Sequence, residues 1–199
     1  MQEQSPLTVI FFGLQGTGKG TQARLLQEYL DTNTKAETIY LETGQLLRDF
    51  MAESDGYTNT LTKEIVSSGG LLPSFMPTFI LGRQMVSTFT GDQHLIFDGA
   101  TRRLNQTVML DSMLRFYKRT PYHVVLIELS EEVATERLLM RGRSDDTREK
   151  IQKRIAWSKE HMDEVLKQFE NFECTIHRVD GEPAIENVNQ QVLATLNLS

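Results

Sequence analysis

Residues 13–21 hold Gly13, Gly16, Gly18, Lys19, Gly20 and Thr21. Glycines let backbone N–H groups turn inward around a polyphosphate, and a helix that follows adds its N-terminal dipole. Lys19 offers a mobile charge for β- and γ-phosphates. Thr21 offers a hydroxyl for a magnesium ion, one place later than usual because Gly20 follows the lysine. An apolar run at 7–12 precedes this stretch, and Leu25, Leu26 and Leu30 recur after it at helix spacing. Strand, glycine loop, lysine and helix is the context that separates a phosphate loop from an ordinary turn. The stretch predicts a site for a nucleotide polyphosphate.

Arginines are the second group. Arg137 and Arg141 are four apart on one predicted helix, so they share a face. Arg143 follows at once, Arg154 lies on the next helix, and Arg48 and Arg102 follow the second and third strands. Phosphoryl transfer needs positioning and neutralisation of charge on the moving group. Permanently charged, planar guanidiniums suit that task. Asp98 closes an apolar strand, where a carboxylate holds magnesium directly or through water; a helix N-cap is the plainer reading. Asp145 and Asp146 precede a long helix and read as caps that also orient Arg143. His94, His123, His161 and His177 lack metal-ligand spacing and read as surface or edge residues, and no zinc is expected.

These groups need a scaffold. Strands are predicted at 7–12, 38–41, 94–97, 123–129 and 175–179. Helices are predicted at 19–30, 44–51, 60–68, 74–89, 106–118, 131–140, 148–169 and 185–196. Strands alternating with helices predict an α/β fold around a parallel sheet, with ligands at the carboxyl ends of the strands. The helices between the second and third strands exceed what one crossover needs, which suggests a small subdomain for a second ligand.

The bulk numbers set limits. A chain of 199 residues suits one domain with a full core. A net charge of −6 argues against a nucleic-acid surface, since phosphate backbones recruit basic faces. The single cysteine, Cys174, excludes an internal disulfide and fits a reducing cytoplasm. The polar start lacks a signal-peptide pattern, and no apolar run is long enough for a membrane span. No long exposed apolar helix stripe is evident, so a monomer is expected.

Taken together, the motifs resemble adenylate kinase and its nucleoside monophosphate kinase relatives over nearly the full length. The loop, ending in Gln22, resembles that family's Gly-x-x-Gly-x-Gly-Lys-Gly-Thr-Gln. The segment from Glu42 to Arg48 resembles Ser-Thr-Gly-Asp-x-Leu-Arg, and Gly69 to Pro73 resembles Gly-x-Leu-Val-Pro/Thr. Asp98 to Arg102, with Gln106, resembles Asp-Gly-Phe-Pro-Arg-x-x-x-Gln. Arg143 to Asp146, then Lys153 and Arg154, resembles Arg-x-Asp-Asp with its downstream Lys-Arg.

The resemblance implies a P-loop three-layer fold with a central five-stranded parallel sheet flanked by helices. It also implies a single domain over 1–199, a helical acceptor-binding insertion at about 43–90 and a vestigial lid at about 141–146. Gly16, Thr17, Gly18, Lys19, Gly20 and Thr21 would hold the ATP phosphates, Gly181 would belong to the same ATP site, and Arg137 would stack on the adenine. Lys19, Arg102, Arg141, Arg143 and Arg154 would be catalytic. Thr43, Arg48, Gly70, Leu71, Leu72, Gly99, Arg102 and Gln106 would hold the acceptor. Asp98 would order magnesium through water, with Thr21 near it.

The implied reaction is ATP plus AMP to two ADP, with magnesium. Pyrimidine-preferring relatives tend to carry alanine and asparagine where Thr43 and Gln106 stand, so these two residues point to AMP. A UMP/CMP kinase and a catalytically weak nucleotide-binding regulatory protein are the alternatives. Three departures bear on that choice. Ala100-Thr101 replaces Phe-Pro, Gln45 replaces an acid, and only Gly142 separates Arg141 from Arg143, where the family carries its lid insertion. A lid so short is expected to shield ATP poorly from water.

Overall fold

A computed structural model describes residues 5–68, 70–142 and 147–198. Its strands are β1 (Thr8–Phe12), β2 (Thr38–Glu42), β3 (His94–Asp98), β4 (Tyr122–Glu128) and β5 (Cys174–Asp180). Its helices are α1 (Lys19–Asn33), α2 (Thr43–Glu53), α3 (Tyr57–Ser67), α4 (Phe75–Thr88), α5 (Leu104–Phe116), α6 (Glu131–Arg141), α7 (Arg148–Glu170) and α8 (Ile185–Thr195). Every predicted strand and helix is present, with ends shifted by a few residues.

The five strands form one sheet in the order β2-β3-β1-β4-β5, and every pairing is parallel. Strand β1 is central and buried on both faces, hence its unbroken apolar run. Ile10 and Phe12 pack with Leu110, Leu114 and Phe169 under α4, α5 and α7. Val9 and Phe11 pack with Leu26, Val188 and Val192 under α1 and α8. These are the three layers. Phe50, Met76 and Ile80 form a separate small cluster joining α2 and α4, so the helices between β2 and β3 carry packing of their own.

The order reverses at β1. The chain runs from β1 out through β2 and back to β3, then crosses to β4 and β5. Such a switch point leaves a crevice beyond the carboxyl end of the central strand. The loop after β1, the end of β3 at Asp98 and the end of β2 at Glu42 all open there, and Glu42 pairs in register with Asp98.

Two sequence expectations need correction. His94 is completely buried, not an edge residue. Its Nδ1 accepts from the Leu7 backbone N–H at 2.9 Å, so the proton sits on Nε2, 3.1 Å from Thr34 Oγ1. His123 and His177 face each other across β4 and β5, ring nitrogens 3.0 Å apart. The monomer expectation assumed no exposed apolar helix stripe. Helix α4 presents Phe75, Phe79 and Val86, at 65%, 54% and 77% exposure, so that premise does not hold. No helix among the described residues is long and apolar enough to cross a membrane.

Arg119, buried at the amino end of the sheet, was not legible as structural. Its Nε donates to Thr8 Oγ1 at 3.0 Å and Nη1 to the Gln93 carbonyl at 2.7 Å. Nη2 donates to the Pro6 and Leu7 carbonyls at 3.1 and 2.8 Å. One guanidinium thus ties the chain before β1 to the turn before β3. Arg119→Ala is expected to cost about 2–4 kcal/mol of unfolding free energy, because it strands several buried acceptors. Urea denaturation measures it, and a loss below about 1 kcal/mol would contradict the assignment.

Candidate active site

The loop from Gly13 to Gly18 joins β1 to α1 and leans on α6. Gly16 has φ +88°, and a Cβ there would lie 2.5 Å from the Ala134 carbonyl oxygen, so only glycine fits. Leu14 anchors the loop among Ala134, Leu138, Ile151 and Ile155. Lys19 opens α1. Its ammonium turns back to donate to the carbonyls of Gly13 at 2.9 Å and Leu14 at 2.6 Å. Burial pushes Lys19 down to about 8. Asp98 resists that shift, while the like charges of Arg102 and Arg141 add to it.

Asp98 stands beside this lysine. Burial raises its carboxyl above the usual range, with Lys19 opposing. Tyr40 donates its hydroxyl to Asp98 Oδ2 at 3.2 Å. Gly20, in the first turn of α1, packs against Asp98: a Cβ there would lie 3.0 Å from Oδ2. Thr21, expected near a metal, is exposed on the cleft wall one residue further round the helix. Among the described residues no group of three or more His, Cys, Asp or Glu side chains could hold a metal alone.

One cleft of ≈ 1700 Å³ runs across the carboxyl edge of the sheet. A single small-molecule pocket is typically about 300–1,000 Å³, so this volume accommodates two nucleotides. Every described residue singled out from the sequence as a site residue lines it. On the α1 side these are Gly16, Thr17, Gly18, Lys19, Gly20, Thr21, Arg137 and Gly181. On the opposite wall are Thr43, Arg48, Gly70, Leu71, Leu72, Gly99 and Gln106. Asp98, Arg102, Arg141 and Arg154 lie along it as well. Arg143, Asp145 and Asp146 lie outside the described residues, as does Gly69 of the Gly69–Pro73 motif.

Local contacts aim these groups. Arg137 donates to the carbonyls of Gly181 at 2.9 Å and Glu182 at 3.2 Å. Those bonds use the guanidinium edge and leave its flat faces unspent. Arg48 is held by Glu42 Oε1 at 2.9 Å and twice by Gln45 Oε1, at 2.7 and 3.1 Å. The neutral Gln45 thus orients Arg48 without adding a negative charge. Gln106 Oε1 accepts the backbone N–H of Arg102 at 2.8 Å, which turns its amide nitrogen away from that loop. Thr43 Oγ1 is buried with no hydrogen-bond partner, and Thr101 Oγ1 likewise. Ala100 is buried in the main core beside Leu110, where the resemblance places phenylalanine.

Arg102 faces the solvent of the cleft but is surrounded by protein. That crowding lowers its pKa, Asp98 opposes the shift, and Arg154 adds to it. Lys19 thus feels the like charges of Arg102 and Arg141, and Arg102 feels that of Arg154, with Asp98 opposing both shifts. The arrangement calls for a polyanion.

Sequence reasoning missed several cleft residues. Glu42 pairs both Arg48 and Arg24; its place at a strand end was the signal. Arg103 and Trp157 also line the cleft, and Trp157 lies one turn beyond Arg154 on α7. Lys150 reaches across to the Ser67 carbonyl at the end of α3, at 3.1 Å.

Comparison with known proteins agrees with this geometry. The adenylate kinase family model matches residues 11–174. An adenylate kinase of Prochlorococcus marinus (strain AS9601) is 32% identical over 82% of this chain and 85% of its own. The adenylate kinase of Thermus thermophilus is 30% identical over 96% of this chain and 97% of its own. That of Corynebacterium glutamicum (strain R) is 27% identical over 96% and 99%. A phosphate loop facing clustered arginines, on this sheet and with these relatives, leads to one conclusion: the chain belongs to the adenylate kinase family and is a phosphotransferase with nucleoside monophosphate kinase chemistry.

Proposed function

We propose that this enzyme transfers the γ-phosphoryl group of magnesium-bound ATP to AMP, giving two ADP. The observation that carries the reading is the single cleft with two unlike walls. One wall is the phosphate loop with Arg137. The other is Arg48, Thr43, Leu71, Leu72 and Gln106. Arg102, Arg141 and Arg154 lie along the cleft with them.

In this reading the loop amides and Lys19 hold the ATP phosphates, and an open face of Arg137 stacks on the adenine. Arg48 and Arg102 clamp the acceptor phosphate. Gln106 offers its amide hydrogens to a ring nitrogen of adenine, and the unpaired Thr43 hydroxyl supports the same base. The attacking phosphate oxygen of AMP is already ionised, so no general base is needed. It forms a new P–O bond to the γ-phosphorus as the bond to the ADP oxygen breaks. Arg102, Arg141, Arg143 and Arg154 neutralise the equatorial oxygens.

A hydrated divalent cation fits beside Asp98, a half-buried carboxylate next to the phosphate loop. Magnesium there would screen the β- and γ-phosphates, and its remaining ligands must be water and substrate oxygens. Residues 43–90 serve as the acceptor-binding insertion, and 141–146 as a minimal lid. The net charge of −6 and the single cysteine favour small nucleotides in a reducing cytoplasm.

Incubation with MgATP and AMP, UMP, CMP or GMP separately should give a diphosphate from AMP alone. Turnover of UMP or CMP would overturn the base assignment. No transfer to any acceptor would move the protein to a regulatory role.

Lys19 gives a pH prediction. Bound phosphates should lift its pKa from about 8 back toward the ordinary lysine range. Binding above about pH 8 then takes up a proton, so ATP affinity weakens as pH rises, by up to about tenfold per unit. Calorimetry at pH 7, 8 and 9 in buffers of different ionisation heat should show this. Constant affinity from pH 7 to 9 would contradict it.

A further inference from the structure

Arg103 differs from the arginines that are spent on ion pairs. Arg24, Arg48, Arg83, Arg115 and Arg178 each hold a carboxylate. Among the described residues no carboxylate pairs with Arg103. Its guanidinium instead lies over the ring of Trp157, 5.1 Å from the centroid. Trp157 is backed by His161, stacked at 4.3 Å and 24°. His161 Nδ1 is 3.1 Å from the Trp157 carbonyl oxygen, one turn back on α7. Both Arg103 and Trp157 line the cleft.

The chemistry of that stack is specific. A guanidinium over an aromatic ring is held by the ring's quadrupole and gives up no N–H to a hydrogen-bond acceptor. Its in-plane donor fork is therefore left for a ligand, and the contact limits where it points. An oriented donor fork without a carboxylate suits a phosphate. Arg103 is next in sequence to Arg102 and caps the amino end of α5, whose dipole also favours an anion.

We propose that Arg103, braced by Trp157, is a further phosphate-binding residue on the acceptor side of the cleft. It adds an oriented charge for the acceptor nucleotide's phosphate, beside Arg102. Trp157 is a positioning residue that acts through Arg103. The acceptor's identity rests on the reading given above, but the need for a phosphate does not.

Steady-state kinetics of Arg103→Ala, Arg103→Lys and Trp157→Ala test this, with thermal unfolding measured for each. Arg103→Ala should raise the AMP KM about tenfold and leave the ATP KM within about twofold. Arg103→Lys should recover part of the loss, since it restores charge but not the fork. Trp157→Ala should raise the AMP KM severalfold. An unchanged AMP KM in both Arg103 variants, or equal rises in both KM values, would overturn the proposal.

A binding experiment separates this inference from the reaction. Trp157 is the only tryptophan, so its fluorescence reports on the stack. Titration of the wild type with AMP, and with inorganic pyrophosphate, should change its emission. Arg103→Lys should weaken the dependence on both at least fivefold. If the wild type transfers phosphoryl to no acceptor, this titration alone decides: weakened binding sustains the assignment, and identical curves overturn it.

Discussion

Like charges crowd at the carboxyl edge of the sheet, and the structure depends on that repulsion being held in place. Lys19, Arg102, Arg141 and Arg154 share one cleft, with Asp98 acting on Lys19 and Arg102. Burial and mutual repulsion have already pushed Lys19 down to about 8. Crowded positive charge of this kind is stabilised by a polyanion and opposed in its absence. The overall charge of −6 sharpens the contrast.

Rigid elements absorb the repulsion. The phosphate loop grows from a fully buried central strand and is pinned to α6 by Gly16 and Leu14. The glycine-to-lysine turn is closed by carbonyls that receive the Lys19 ammonium. At the opposite end of the sheet Arg119 and His94 fix the approach to β1 and β3. They touch no ligand, yet they hold the strands whose far ends carry Asp98 and the loop. The wall carried by α2–α4 has a different character. Its cluster of Phe50, Met76 and Ile80 is small and distinct from the main core.

The strand–helix alternation was legible because each strand is a short apolar run between turn residues. The phosphate loop was legible because glycine spacing and a lysine are tied to one backbone geometry. Contacts made by neutral or distant partners were not. Gln45 read as a lost charge, whereas its amide oxygen binds Arg48 twice. Thr21 was legible as a hydroxyl for magnesium from its place after the lysine, but not that Gly20, one residue earlier, is the position packed against Asp98. Arg119 and His94 gave no signal, since a polar residue satisfied by backbone groups far along the chain looks like any surface residue. The stacking of Arg103 on Trp157 joins positions over fifty residues apart, and no local pattern announces it.

The central claim is that one cleft holds donor and acceptor nucleotides together, with the moving phosphoryl between them. A compound of two adenosines joined by five phosphates spans both halves and probes this directly. Calorimetric titration should give one molecule per chain, bound at least about a hundredfold more tightly than ATP or AMP alone, because a single ligand then satisfies both walls. Two molecules per chain, or an affinity no better than that of ATP, would contradict the account.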